Sequence, residues 1–167
     1  MENDQPEAEE IDARVLEFWT MTKGYADVGD LDVVLGRHWS EAVPPPAWSY
    51  GESADIADEF VELVLSGLRT ATTSLHEEYS DDGQIAKAGD YSILLDGSGT
   101  PQALIRVTEV QVVPIGELTL DQVLAEDDDA DLPTWRQAHQ ADWERAGYEV
   151  DDTSLVVWEQ FQVLYPM

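Results

Sequence analysis

Residues 66–75 read SGLRTATTSL, and this stretch joins a helical pattern to a strand pattern. Gly67 ends the helical pattern, since glycine is the residue that most often follows the last turn of a helix. The run TATTS that follows is rich in β-branched residues, which favour strands. Arg69 lies between the two elements, in a chain with few basic residues. A cation beside hydroxyl side chains at a sheet edge predicts a site for an anion or a carbonyl group; the alternative is a charge that only aids solubility.

The helix before this junction is predicted over residues 53–67, which read SADIADEFVELVLSG. Ser53 is a favourable N-cap, and acidic residues occupy the first turns, where the helix dipole stabilises negative charge. The spacing of its apolar residues predicts a buried stripe made of Ile56, Phe60, Leu63 and Val64.

Alternating and β-branched patterns elsewhere in the chain predict further strands at 69–75, 91–96, 103–113 and 155–165. The turn sequence DGSGTP joins the second and third of these and predicts a hairpin. Helical periodicity is found at residues 11–22, 115–124 and 132–145. This order of elements predicts an α+β fold in which helices flank a small, strongly bent sheet or barrel.

The chain divides into two parts on the basis of composition. Residues 1–46 are expected to hold an acidic tail, an N-terminal helix and a proline-rich linker, because the run PPP at 44–46 excludes a regular helix. Residues 47–167 are expected to form the folded domain, with the N-terminal helix packed on its outside.

The net charge excludes some partners. The sequence has 167 residues, with 8 Lys plus Arg against 36 Asp plus Glu, and a formal charge of -28. This surface repels nucleic acid and anionic membranes at long range. Adaptation to a salty cytoplasm or simple solubility explains the charge most directly, and a basic protein partner is the other explanation. Screening limits the repulsion to about 8 Å at physiological salt, so a local basic cleft can still bind an anion.

Targeting and redox features are few. The sequence has no cysteine, which excludes disulfides, thiolate metal sites and a cysteine nucleophile. No apolar run approaches the roughly 18 residues that a membrane span requires. The first residues are acidic rather than typical of a secretory signal, so a cytoplasmic location without membrane attachment is expected.

The acidic run AEDDDAD at 125–131 raises the possibility of a metal site. Its alternating aspartates resemble the start of a calcium loop, but the sixth position is Leu132 rather than Gly and the twelfth is Ala138 rather than Glu. A solvated loop with Asp131 as the next N-cap is the simpler interpretation, and no metal-ligating residue is assigned. His139 is expected to be a hydrogen-bonded residue at the edge of the core. Manganese or magnesium remains possible as a cofactor.

Several motifs together identify a family. The stretch Gly67-Leu68-Arg69-Thr70-Ala71-Thr72 follows a helix and matches the pattern G-x-K-x-x-T, except that Arg69 replaces the Lys. It lies within YGESADIADEFVELVLSGLRTATTSL. GDYSILLDGSGTPQALIRVTEV, WRQAH and the closing VVWEQFQVLYP follow in order. From about Trp48 onward, the chain resembles the longer bacterial members of the ASCH domain family, a branch of the PUA-like superfamily. The resemblance implies a PUA-like β-barrel with a cleft beside the motif, and RNA binding or RNA-linked chemistry.

The resemblance also implies catalytic candidates. Some short members of the family are described as amidohydrolases of N4-acetylcytidine that use the motif's Lys and Thr with a later Glu, and some longer members as ribonucleases. By motif position the Lys corresponds to Arg69, the Thr to Thr72, and the acid falls near Asp127 or Asp128. Arg69, Thr72 and Asp128 are therefore the catalytic candidates. An arginine stays protonated in a protein, so the change from Lys weighs against the amidohydrolase mechanism.

Three functions remain open at this point. The first is a cleft that binds RNA, a nucleotide or a modified nucleoside weakly, with Tyr50 or Trp48 stacking on a base or else packing in the core. The second is a hydrolase, either a metal-assisted ribonuclease or an amidohydrolase. The third is an acidic module that binds another protein; the oligomeric state is not indicated. The ligand-binding candidates are Tyr50, Arg69, Thr70, Thr72, Lys87, Arg106 and Arg136.

Overall fold

Five strands in the described part of the chain form one sheet that curls into a half-barrel. The computed structural model describes residues 12–26, 43–79 and 85–167. The predicted acidic tail and most of the predicted linker lie outside the described residues. The strands are β1 Ala47–Ser49, β2 Ala71–Leu75, β3 Tyr91–Leu95, β4 Pro101–Pro114 and β5 Leu155–Tyr165. Their spatial order is β1-β3-β4-β5-β2; β1 runs parallel to β3, and the other neighbours are antiparallel.

Four α-helices in the described ranges surround this sheet, and each begins at a capped residue. They are α1 Ala13–Thr22, α2 Ala54–Ser66, α3 Leu120–Leu124 and α4 Leu132–Arg145. In each case the side chain of the preceding residue accepts a hydrogen bond from a backbone N–H of the first turn. The predicted α+β class, the N-terminal helix and the hairpin of β3 with β4 are confirmed.

Two elements differ from the sequence prediction. The sequence did not predict β1, which is only three residues long and pairs with a distant strand through Ala47 and Ile93. The helix predicted over 115–124 is divided: a short 3-10 turn covers Ile115–Glu117, and α3 begins only after Thr119. The side chains of Thr119 and Gln122 cap each other's backbone N–H groups, and this capping box fixes the new start.

Helices α1 and α2 pack on opposite faces of the sheet. Successive strand residues point to opposite faces, so Ile93 faces α1 whereas Leu94 faces α2. The helical periodicity predicted over residues 11–22 is confirmed over Ala13–Thr22, where the buried residues are Val15, Phe18, Trp19 and Thr22.

The buried stripe of α2 is shifted from the prediction. The prediction of Ile56 as a buried residue is wrong, since its side chain is 44% exposed. Leu63 is half-buried. The stripe instead consists of Ala57, Phe60, Val61 and Val64. Near its N-terminal end, α2 therefore packs on the sheet through the small side chain of Ala57. The sequence pattern had favoured Ile56 because its side chain is larger and more hydrophobic.

A register shift divides β4 into two halves. The pairing of β4 with β5 shifts between Val107 and Glu109, and such a bulge bends the strand. Before the bulge, Ile105 packs against α2. The helices α3 and α4 cover the other end of the sheet, where Trp135 and Trp143 pack against Trp158 of β5.

The turn between β3 and β4 is pressed against the first turn of α2. The backbone N–H of Gly97 donates to Asp58 Oδ1 at 2.7 Å. A Cβ atom at Gly97 would overlap the backbone of Ala54, lying 2.6 Å from its Cα and 2.7 Å from its carbonyl carbon. Only glycine fits this close approach of two backbones, which fixes α2 on the sheet.

We expect Gly97→Ala to lower the free energy of unfolding by about 2 kcal/mol, because the new methyl group meets backbone that cannot rotate away. Gly24→Ala is the matched control, since no heavy atom of the described residues lies within 4 Å of its added Cβ. Urea unfolding of both variants measures the difference. Equal midpoints for the two variants would contradict this account of the turn.

Candidate functional site

Arg69 lies in the connection between α2 and β2 and contacts three segments of the chain. Its Nε donates to Ala71 O at 3.2 Å and its Nη2 donates to the Tyr50 hydroxyl at 3.0 Å. The same Nη2 lies 3.5 Å from Glu126 Oε2. The guanidinium carbon is 4.6 Å from the ring centre of Tyr50 and 4.9 Å from that of Phe60, within the range of cation–π contacts. The side chain is only 13% exposed, so most of its contacts are internal.

Glu126 is a buried carboxyl group just after α3. Its side chain is 2% exposed, and the Thr73 hydroxyl donates to its Oε1. Among the described residues, Oε2 has no hydrogen-bond partner and lies 3.9 Å from His139 Nε2. Burial raises the pKa of Glu126 to about 7, although the Thr73 hydrogen bond and the charge of Arg69 act in the opposite direction. The carboxyl group therefore exchanges its proton near neutral pH.

His139 packs beside this carboxyl group on α4. Its ring stacks on Trp135 with 3.8 Å between ring centres, and it meets the edge of Trp143. Its Nδ1 lies 3.1 Å from the Trp135 carbonyl oxygen, which is only an acceptor, so Nδ1 donates and Nε2 is left as an acceptor. Burial lowers the pKa of His139. The prediction of a hydrogen-bonded histidine at the core edge is confirmed.

A cavity of about 700 Å³ lies on the face of β2 opposite to the one that contacts Glu126. It is called the large cavity below. Thr72 and Ser74 line it, whereas Thr73 points away from it toward Glu126, as strand alternation requires. The aromatic residues of the lining are Trp48, Tyr50, Tyr79, Tyr91 and Phe161. The cavity therefore combines ring surfaces with hydroxyl groups along the edge strand.

Glu159 is the partly buried acid in this cavity. It pairs in register with Thr72, so the two side chains share one face of the sheet. The hydroxyl of Tyr79 donates to its Oε1 at 3.1 Å. Burial raises the pKa of Glu159, and the nearby Asp90 adds to the increase. Burial also raises the pKa of Tyr79 to about 12, so its hydroxyl keeps its proton and remains a donor at neutral pH.

A smaller hollow of about 320 Å³ shares Phe161 with the lining of the large cavity. Gly67, Arg69 and Thr70 line it, together with Pro166. Thr70 is held there by its backbone N–H, which donates to Ala125 O at 2.7 Å. The arginine thus borders this hollow, and it contacts the lining of the large cavity through Tyr50.

Comparison with known proteins decides the family. A family model described as the ASCH domain matches residues 46–165. The chain belongs to the ASCH domain family. A crystal structure of a protein from Enterococcus faecalis V583 shares 28% identity, with a TM-score of 0.70 over 90% of this chain and 87% of that one. The crystal structure of an ASCH domain from Lactobacillus crispatus JV V101 shares 22% identity, with a TM-score of 0.71 over 95% and 98%. No functionally curated protein matches the chain.

The residues around the ASCH motif are divided between the large cavity and the small hollow. Tyr50 and Thr72 line the large cavity, and Arg69 and Thr70 line the small hollow. The predicted family and the predicted barrel-like fold are confirmed, with the barrel open as a half-barrel. The roles assigned to these residues in binding or catalysis remain predictions.

The other predicted cations do not converge on Arg69. Lys87 is exposed in the loop before β3 and does not line either concavity. Arg106 is exposed on β4, on the opposite face from Ile105 and Val107, which do line the large cavity. The positive charges of the described residues are therefore not concentrated at the site.

Arg136 is also placed away from the site. It lies on α4, and its Nη2 donates to Gly116 O at 2.8 Å and to Leu118 O at 3.2 Å. These two carbonyl groups belong to the segment between β4 and α3. The arginine thus ties α4 to that segment, and its surroundings point to a structural role.

The carboxylate beside Arg69 is Glu126 rather than the predicted Asp128. The side chain of Asp128 is exposed. Glu126 follows Val123 and Gln122 at spacings of three and four residues, and both of those are buried. The helical periodicity of α3 was the signal that this acid points inward, whereas the composition of the acidic run suggested a uniformly solvated loop. The site therefore has a Glu here and not the shorter Asp that was expected.

Glu159 and Tyr79 were not predicted from the sequence. Glu159 alternates with Val157 and Phe161 along β5, and both of these apolar side chains are buried. That alternation was readable as an inward-pointing acid. The contribution of Tyr79 depends on the fold of a loop and had no local sequence signal.

Metal and membrane features were searched in the described ranges. No group of three or more His, Asp or Glu side chains there is arranged to hold a metal ion, and manganese or magnesium as a cofactor stays a prediction. None of the described helices is both long enough and apolar enough to cross a membrane.

We expect Glu126→Gln to change how stability depends on pH. The pKa of Glu126 is about 7 in the folded chain and ordinarily 4.5. Between these values the native state holds a proton that the unfolded state has released, so stability falls as pH rises. Glutamine imitates the protonated form and cannot ionise. From pH 5 to 8 the wild type should therefore lose about 2–3 kcal/mol of unfolding free energy relative to the variant.

Thermal or urea unfolding across this pH range measures the effect. Glu109→Gln changes an exposed carboxylate on β4 and serves as the control, which should follow the wild type at every pH. A constant difference between wild type and Glu126→Gln would show that Glu126 does not titrate near neutrality.

Proposed function

We propose that the large cavity binds a nucleoside, either free or at a single-stranded position of RNA. The observation that carries the proposal is the cavity's size together with its walls. Its volume of about 700 Å³ lies within the roughly 300–1,000 Å³ of small-molecule sites. Its lining joins five aromatic rings to hydroxyl groups, which suits a flat base attached to a sugar. Membership of the ASCH family, which is PUA-like and for which RNA binding has been proposed, supports the same conclusion.

The aromatic walls suit base stacking. Trp48 and Tyr50 both pack on the buried Phe60, with ring centres 5.8 Å and 4.3 Å away. Their positions are thus fixed before a ligand arrives, which reduces the entropy lost on binding. Stacking on such rings contributes about 1–3 kcal/mol per base and tolerates any base.

The hydroxyl groups suit the sugar and the base edges. Thr72 and Ser74 lie two residues apart on β2 and therefore face the cavity together. A hydroxyl group both donates and accepts, so each can pair with a ribose hydroxyl or with a base nitrogen or oxygen.

Arg69 acts on this cavity as a positioning residue. Its hydrogen bond to the Tyr50 hydroxyl fixes the position of Tyr50, which forms part of the cavity wall. Its positive charge compensates the negative charge of the buried Glu126. A guanidinium engaged in these contacts is not available as the main phosphate contact. Binding at this site therefore depends on the base more than on the phosphate.

Hydrolysis is the second candidate function, and the specific observation in its favour is Glu126. A carboxyl group with a pKa of about 7 is suited to general acid–base work at neutral pH. Glu126 is buried, does not line the large cavity, and binds Thr73 on the opposite side of β2 from Thr72. It does not reach a ligand in that cavity, and for this reason binding is the proposal that we prefer.

We expect Ser74→Phe to weaken nucleoside binding at least tenfold, because the ring occupies space in the cavity and removes a hydroxyl group. Isothermal titration with guanosine, adenosine, cytidine and uridine measures the change. Val112→Phe places the same ring at an exposed position of β4 outside the lining and is the matched control. Equal loss in both variants, or no loss in Ser74→Phe, would place the ligand elsewhere.

Single-stranded RNA should bind no more tightly than micromolar at physiological salt, and with a weak salt dependence. Each neutralised phosphate of a single strand contributes about -0.7 to the slope of log K against log salt. Among the described residues, no lysine or arginine lines the large cavity, and Lys87 lies on the loop beside it. A slope between zero and about -1.5 is expected, the value for two phosphates. A steep slope with nanomolar affinity would show that a phosphate-binding surface has been missed.

A further inference from the structure

The large cavity has a negatively charged lining. Asp90 and Glu159 belong to it, and the described lining residues include no lysine, arginine or histidine. The whole chain carries a formal charge of -28, so the surrounding field has the same sign. Such a field repels an anionic group inside the cavity and attracts a cationic one.

Only one oxygen of Glu159 accepts a hydrogen bond from the described residues. Tyr79 donates to Oε1, and no described residue donates to Oε2. Burial raises the pKa of this carboxyl group, which means that its negative charge is poorly compensated by the described residues. A ligand that brings positive charge and an N–H donor to Oε2 would supply the missing compensation.

The aromatic lining adds a second attraction for the same kind of ligand. The faces of aromatic rings are electronegative and attract organic cations, most strongly where water is excluded. Trp48, Tyr50, Tyr79, Tyr91 and Phe161 all contribute to the lining. A flat cationic ring gains both stacking area and cation–π attraction, whereas a compact ammonium group gains only the second.

We propose that this cavity selects a nucleoside whose base is positively charged through N-alkylation, represented by 7-methylguanosine and 1-methyladenosine. The proposal rests on the nucleoside-binding function above and adds the charge of the base. The alkylated base stacks against the aromatic walls, and Glu159 accepts hydrogen bonds from its edge. In 7-methylguanosine these donors are N1–H and the exocyclic amino group; in 1-methyladenosine the donor is the exocyclic amino group.

Two matched ligand pairs test the charge with the wild-type chain. Isothermal titration at mildly acidic pH, where 7-methylguanosine keeps its N1–H proton and its positive charge, compares 7-methylguanosine with guanosine and 1-methyladenosine with adenosine. Each pair differs by one methyl group and one positive charge. We expect the charged member to bind at least about tenfold more tightly in both pairs, on the scale of a desolvated cation–π contact joined to a charged hydrogen bond. This comparison needs no mutation and so does not depend on the folding of a variant.

Two variants then test whether Glu159 recognises the charge of the base. Glu159→Gln removes the charge but keeps the shape, and should reduce the preference for the charged member to about twofold or less. Glu109→Gln removes an exposed charge from the neighbouring strand, outside the lining, and should keep the wild-type preference. Circular dichroism of both variants confirms that they fold.

The outcomes separate this inference from the function on which it rests. Equal binding of charged and neutral members would overturn the selection for charge and leave the nucleoside site standing. Binding of none of the four nucleosides would overturn both proposals. A full preference retained in Glu159→Gln would overturn the assignment of Glu159 as the group that recognises the charge.

Discussion

The antiparallel pairing of β2 with β5 determines the character of both sides of the candidate site. Thr72 lies opposite Glu159, and Thr73 lies opposite Trp158. One face of this ribbon therefore presents hydroxyl groups and a carboxylate to the cavity, and the other presents Thr73 to the buried Glu126. A slip of one residue would exchange the faces, placing hydroxyls in the core and apolar side chains in the cavity. The apolar residues of β2, Ala71 and Leu75, prevent such a slip because both are fully buried under α3 and α4.

The scarcity of positive charge makes the position of Arg69 informative. A chain with 8 Lys plus Arg against 36 Asp plus Glu places one of these cations 3.5 Å from its most deeply buried described acid. A buried carboxylate without a partner is strongly destabilising, and the arginine together with the Thr73 hydroxyl reduces that cost. The same guanidinium holds the hydroxyl of Tyr50. Arg69 thus couples the buried charge on one side of β2 to an aromatic wall on the other side.

Features with a local cause were predictable from the sequence. Ser53 and Gly67 bound α2 as expected, since capping depends on a few adjacent residues. The face of Arg106 was also readable, because it alternates with Ile105 and Val107 along the strand. The family resemblance, carried by the motif around Arg69, implied a β-barrel, and the structure has this barrel open as a half-barrel.

Features that depend on tertiary contacts were not predictable in the same way. The strand β1 is too short to show alternation, and its partner lies more than forty residues away in sequence. The choice of Ala57 over Ile56 on the buried side of α2 depends on how closely the helix approaches the sheet. The burial of Glu126 and Glu159 was not predicted from composition. In a chain with so many carboxylates, any single acid is expected to be exposed to solvent.

The shortness of β1 also bears on the local stability of the molecule. Only Ala47, Trp48 and Ser49 pair with β3, whereas β4 and β5 pair along most of their lengths. Segments with few hydrogen bonds and partial exposure open at a lower free energy than the global transition. The backbone pairing of β1 with β3 is the shortest in the sheet, while the rings of Trp48 and Tyr50 are held by their packing on Phe60. In hydrogen-exchange terms, the amides of β1 are expected to be less protected than those of β4 and β5.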